Sequence, residues 1–169
     1  LEPSCLASLR GDAPELSADP RVEEVAAGMR TLAEFLTGLV ADGRWTVPDL
    51  AGTEILVQPH CHHASVLGWQ ADATLLAATG ATVTTLGGCC GLAGNFGVEK
   101  GHYEVSVKVA EHDLLPAVAA HPDALVLADG FSCRIQLAQL ADREAITLAE
   151  LLANPPLVST HGRDGDRMR

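Results

Sequence analysis

The chain has 169 residues, enough for one domain with a sizeable core and short for two. Its formal charge of −11 argues against nucleic acid or an anionic membrane surface as partner, since both reward clustered Lys and Arg. Hydrophobic residues make up 47% but aromatic ones only 4%, so the core is expected to be built from Ala, Val and Leu.

In chain order, Leu1 opens directly in what reads as the end of an element, so a fragment of a longer polypeptide is expected. Residues 11–21 read as a loop and 22–41 as a long helix. Residues 55–60 (Ile-Leu-Val-Gln-Pro-His) read as a short buried strand. Val66, Leu67, Ala71, Leu75 and Leu76 then recur at helical spacing over 64–79, and Gly80 closes that helix. Residues 81–86 are β-branched and strand-like. Residues 103–119 carry Val105, Val109, Leu114 and Val118 at helical spacing, with Pro116 set to kink or shorten the helix. Residues 124–128 make a third apolar strand, and 133–141 and 147–153 two short helices. Strands alternating with helices predict an α/β fold with a mainly parallel sheet and helices on both faces. The division expected is an end segment and linker helix over 1–50, a cysteine-rich α/β domain over 51–158, and a disordered polar tail over 159–169.

Two segments repeat in order. Pro3-Ser4-Cys5 is followed by Thr31-Leu32-Ala33-Glu34, and Phe131-Ser132-Cys133 by Thr147-Leu148-Ala149-Glu150. The repeat suggests that residue 1 enters the closing motif of an earlier, truncated unit.

Five cysteines, an odd number, with no basic and apolar leader, point to reduced thiols. A cytoplasmic setting is expected, compatible with a peripheral place at the inner membrane. No apolar run reaches the ~18 residues of a membrane span. Cys89 and Cys90 are adjacent in the turn Gly87-Gly88-Cys89-Cys90-Gly91, and neighbouring cysteines are poorly placed to bridge each other. Cys61 stands in Gln58-Pro59-His60-Cys61-His62-His63 and Cys133 in Asp129-Gly130-Phe131-Ser132-Cys133. Each motif follows a predicted strand, at the carboxyl edge where open α/β sheets place their sites. Four thiolates at Cys61, Cys89, Cys90 and Cys133 suit an iron–sulfur cluster. The alternative is Zn²⁺, for which imidazoles are also fit ligands. If the segment is extended, His60 and His62 share one face and Cys61 and His63 the other. His60 and His62 are candidate metal ligands beside the four thiols. The glycines of 88–97 lack the dinucleotide fingerprint, and their expected use is a close wrap with N–H groups aimed at sulfur. Asn95, Glu99, Lys100, His102 and Tyr103 form a polar string after that turn.

These segments resemble the cysteine-rich CCG family of heterodisulfide reductases and of iron–sulfur parts of flavin-linked 2-hydroxyacid dehydrogenases. The resemblance is carried by Glu2-Pro3-Ser4-Cys5, the Cys61 segment, Gly88 through Gly97 running on to Glu99-Lys100-Gly101-His102-Tyr103-Glu104, and Ala128 through Arg134. It is similar above all to the C-terminal part of bacterial chains that fuse an FAD-linked oxidase domain to iron–sulfur modules and act on D-lactate, glycolate or D-2-hydroxyglutarate. The resemblance implies an electron-transfer module with a cluster, [4Fe–4S] before [2Fe–2S], on Cys61, Cys89, Cys90 and Cys133. FAD would sit only in the flavin domain of the parent polypeptide. The expected partners are that domain and an acceptor, quinone or carrier protein, and the fragment alone would have no dehydrogenase activity. The structural zinc domain is the rival. One departure stands out: the family pattern closes on Cys-x-x-Cys, and here Gly130 replaces the first of that pair.

Overall fold

A computed structural model describes residues 2–154. The tail expected over 159–169 lies outside them. Three strands, β1 (Glu54–Val57), β2 (Thr82–Thr85) and β3 (Leu125–Leu127), pair in parallel in the order β2-β1-β3. Ile55 lies opposite Val83 on one side and Leu125 on the other. A single parallel bridge between Leu127 and Ile146 extends the sheet beyond β3.

β1 and β3 are buried on both faces, as their unbroken apolar runs require, while the edge strand β2 is half-buried to exposed. Leu56, Val126 and Ala128 point to one core with Leu114 and Val118 of α7 (Leu114–Ala120) and Cys133 and Leu137 of α8 (Phe131–Ala141). Ile55, Val57 and Leu127 point to the other. There they meet Leu75 and Leu76 of α5 (Gln70–Ala78), Ala33 of α4 (Leu32–Ala41), and Leu148 and Leu151 of α9 (Leu148–Ala153). The chain steps from β1 to β2 in one direction and back across to β3 in the other. Crossovers of one hand then fall on opposite faces, which places α5 below the sheet and α7 above it. The fold is thus the expected α/β arrangement, and β1 is where the strand order reverses. Residues 32–50 share the second core with the sheet through Ala33, Leu36 and Leu50.

Several boundaries differ from expectation for local reasons. The loop expected over 11–21 is largely helical. It contains the end of a π-helical turn (Ser8–Asp12), which follows α1 (Pro3–Ala7), then α2 (Ala13–Leu16) and the start of α3 (Pro20–Gly28). The long helix over 22–41 is two, α3 and α4. Thr31 caps α4, its hydroxyl accepting from the Glu34 N–H while the Glu34 carboxylate accepts from the Thr31 N–H. The helix expected over 64–79 is a π-helical turn (His63–Leu67) followed by α5. The break is Gly68, whose φ of +92° only glycine adopts without strain. The helix over 103–119 is α6 (Tyr103–His112) and α7. Pro116 removes an N–H and crowds the carbonyl four residues back, at His112. Asp113 at the break instead accepts a hydrogen bond from the Gly88 N–H at 2.7 Å.

Candidate thiol site at the sheet edge

All three cysteine motifs follow the carboxyl end of a strand, and β1 supplies the first. Gln58, 1% exposed, donates from Nε2 to the Gly88 carbonyl at 2.8 Å and to the Pro59 carbonyl at 3.0 Å. It thereby binds the β1 end to the Cys89-Cys90 turn. The Gly94 N–H donates to Ser132 Oγ at 3.0 Å, joining the same turn to the first turn of α8, which carries Cys133.

The result is a row of thiols. Cys61 interacts with Cys89, Cys89 with Cys90, and Cys90 with Cys133. It runs inward from Cys61, which is exposed, through Cys89, which is half-buried, to Cys90 and Cys133, which are buried. Cys5 is free and exposed. Burial heads the causes that push the Cys61 thiol above its ordinary value. Cys89 is raised chiefly by its contact with Cys90, and then by burial. Cys90 is pushed up to about 11, first by its contact with Cys133.

Against these shifts stands a set of backbone N–H groups. The Gly91 N–H donates to Cys89 Sγ at 3.3 Å. The nearby backbone N–H groups of Leu92, and of Cys61 and His62, pull the Cys90 and Cys61 thiols the other way, favouring thiolate. Gly91 is needed for this wrap. Its φ is +87°, and a Cβ there would overlap the Ser106 carbonyl oxygen of α6. Gly97 meets Ser106 Oγ in the same way.

The histidines sit differently from the extended-segment expectation, because residues 61–67 coil rather than extend. The His60 ring is 7% exposed and lies against Gly130, where an added Cβ would strike Cδ2. This imidazole thus fills the space that a side chain at position 130 would take. His60 Nδ1 accepts from the His62 N–H at 3.2 Å, which leaves the proton on Nε2, 3.8 Å from Glu2 Oε1. Burial pushes His60 below its ordinary value. His62 is exposed and meets His60 edge-on, with ring centroids 5.4 Å apart. Among the described residues the thiol row and these two imidazoles form no group of three donors within 4.8 Å.

One such group does form, and sequence reasoning missed it: His63, Asp72 and Asp129. A signal for Asp72 was available. It stands three and four residues before Leu75 and Leu76, hence on the inward stripe of α5, where a carboxylate is out of place. In the polar string after the turn, Asn95 donates to Glu99 at 2.6 Å and His102 stacks on Phe96 at 4.2 Å, all on the surface side of the turn.

No family model matches this chain, and no curated protein or solved structure does.

Proposed function

We propose that this chain is an iron–sulfur electron-transfer module, holding a cluster, [4Fe–4S] before [2Fe–2S], through Cys61, Cys89, Cys90 and Cys133. The observation that carries this is the row of four thiols, with the Gly91 N–H donating to Cys89 Sγ at 3.3 Å. Thiols whose proton affinity is raised by crowding resist ionising on their own, and a cationic centre reverses that. A single Zn²⁺ with bonds of about 2.3 Å would draw its sulfurs to about 3.8 Å from one another. Among the described residues no three of these sulfurs lie within 4.8 Å of one another, which fits a larger polynuclear centre better than one such ion.

A bound cluster supplies one-electron exchange at a potential set by hydrogen bonds to sulfur and by exclusion of water. The chain's own contribution is to aim N–H groups at sulfur, to bury the Cys90 and Cys133 end, and to present the Cys61 end to a partner. The parent assembly would be a flavin-dependent D-2-hydroxyacid oxidoreductase, with the flavin domain as donor and a quinone or carrier protein as acceptor. No helix among the described residues is long and apolar enough to cross a membrane.

The test is iron, zinc and acid-labile sulfide per chain after anaerobic purification. Roughly four iron and four sulfide are expected, lost in Cys90→Ser and Cys133→Ser and kept in Cys5→Ser. One zinc without sulfide, or iron retained in both serine variants, would overturn the proposal.

A further inference from the structure

The His63, Asp72 and Asp129 group lies on the opposite side of the sheet edge from Cys90 and Cys133, and the thiol chemistry makes no use of it. Asp72 comes from α5, His63 from the π-helical turn after β1, and Asp129 from the residue pair that follows β3. One donor atom from each lies within 4.8 Å of the others. Asp72 is 1% and His63 3% exposed. His63 Nε2 lies 3.0 Å from Asp72 Oδ2, and Asp129 Oδ1 accepts from the Leu148 N–H at 2.8 Å, which leaves its second oxygen free of that bond.

The group opens on a cavity of about 340 Å³ that Glu2, Arg30, Thr31, Arg134 and Thr147 also line. Among the described residues two buried polar atoms on this wall find no partner, His63 Nδ1 and Arg134 Nε. Buried polar atoms are ordinarily paired, so a charge network closed upon itself does not account for this wall. Buried carboxylates packed this closely are ordinarily matched by positive charge, which a bound cation would supply.

We propose that His63, Asp72 and Asp129 bind one divalent first-row cation at the wall of this cavity, separate from the thiol row. Three protein donors facing an open cavity is the arrangement of metal sites that keep coordination positions for water or an exogenous ligand. One imidazole with two carboxylates suits Mn²⁺, Fe²⁺ or Zn²⁺ and contains no soft sulfur donor.

The probe is Mn²⁺, because oxygen and nitrogen donors hold it while thiolates prefer softer ions. The result is then independent of whether a cluster is present on the cysteines. The full chain is titrated with Mn²⁺ under anaerobic reducing conditions and free ion is followed by electron paramagnetic resonance. One ion per chain is expected. Asp72→Asn and Asp129→Asn should each weaken binding at least about tenfold, and the exposed control Glu99→Gln should leave it unchanged. Because either aspartate variant could unfold, the wild-type complex is also measured by pulsed resonance for coupling to a single imidazole nitrogen. No binding at millimolar Mn²⁺, no nitrogen coupling, or equal affinity in folded Asp72→Asn and Asp129→Asn would each overturn the site. Failure of iron and sulfide to appear would instead count only against the cluster.

Discussion

Replacing Gly91 by alanine tests whether the Cys89-Cys90 turn is pressed against α6. Two costs combine. At a φ of +87° a Cβ carries the left-handed penalty of about 1–2 kcal/mol. The new methyl also overlaps the Ser106 carbonyl oxygen and stands 3.1 Å from the Ser106 carbonyl carbon and 3.2 Å from Val109 Cβ. That oxygen cannot easily withdraw. It belongs to a helix, and Ser106 is 1% exposed and tied to α8 by the Gln136 amide, which donates to Ser106 Oγ at 2.9 Å. Overpacking of this kind costs about 1–3 kcal/mol, for a total of roughly 2–5 kcal/mol out of the ~5–15 typical of a domain. Gly94→Ala is the internal control: φ is +70° but no atom of the described residues lies within 4 Å of the added Cβ, so only the backbone penalty of about 1–2 kcal/mol remains. Gly87→Ala has open space and no positive φ, and should change stability by less than about 0.5 kcal/mol. Urea unfolding followed by tryptophan fluorescence on the metal-free chain gives all three. Equal destabilisation in Gly91→Ala and Gly94→Ala would refute the close approach of turn and helix.

Two further outcomes follow from the same geometry. The Cys90 thiol is raised from 9.0 to about 11, so the folded state holds its proton more tightly than the unfolded chain does. This stabilising contribution is complete below pH 9 and is lost as pH rises through about 11, by roughly 3 kcal/mol at most. Urea midpoints of the metal-free protein between pH 8 and 10.5 should fall, and fall less steeply in Cys90→Ala; identical slopes would refute the shift. Thr31→Ala and Thr147→Ala each remove one hydroxyl that accepts from the third helical N–H, at 3.0 and 3.2 Å, and each should cost about 1 kcal/mol in the same assay.

The strands were legible because Ile55-Leu56-Val57 and Leu125-Val126-Leu127 are unbroken apolar runs, the mark of strands buried on both faces. The position of Cys61, Cys89, Cys90 and Cys133 after strands followed from that reading alone. The Thr-Leu-Ala-Glu repeat was visible as well, though its physical content emerged only as a pair of capping boxes that start α4 and α9. Thr31 and Glu34 already held the signal that divides residues 22–41. The break at Asp113 was half legible, since Pro116 strains the backbone there, but its partner, the Gly88 N–H, lies 25 residues away.

Local pattern, then, determined the α/β class, the strands and the thiol motifs, because periodicity and residue type act within a few positions. Tertiary structure alone decided which side chains meet. It set the order of the thiols in their row, turned His60 onto Gly130 and toward Glu2, and brought Asp72 and Asp129 together with His63. Those contacts depend on the reversal of strand order at β1 and on helices packed on both faces, which join residues far apart in the chain.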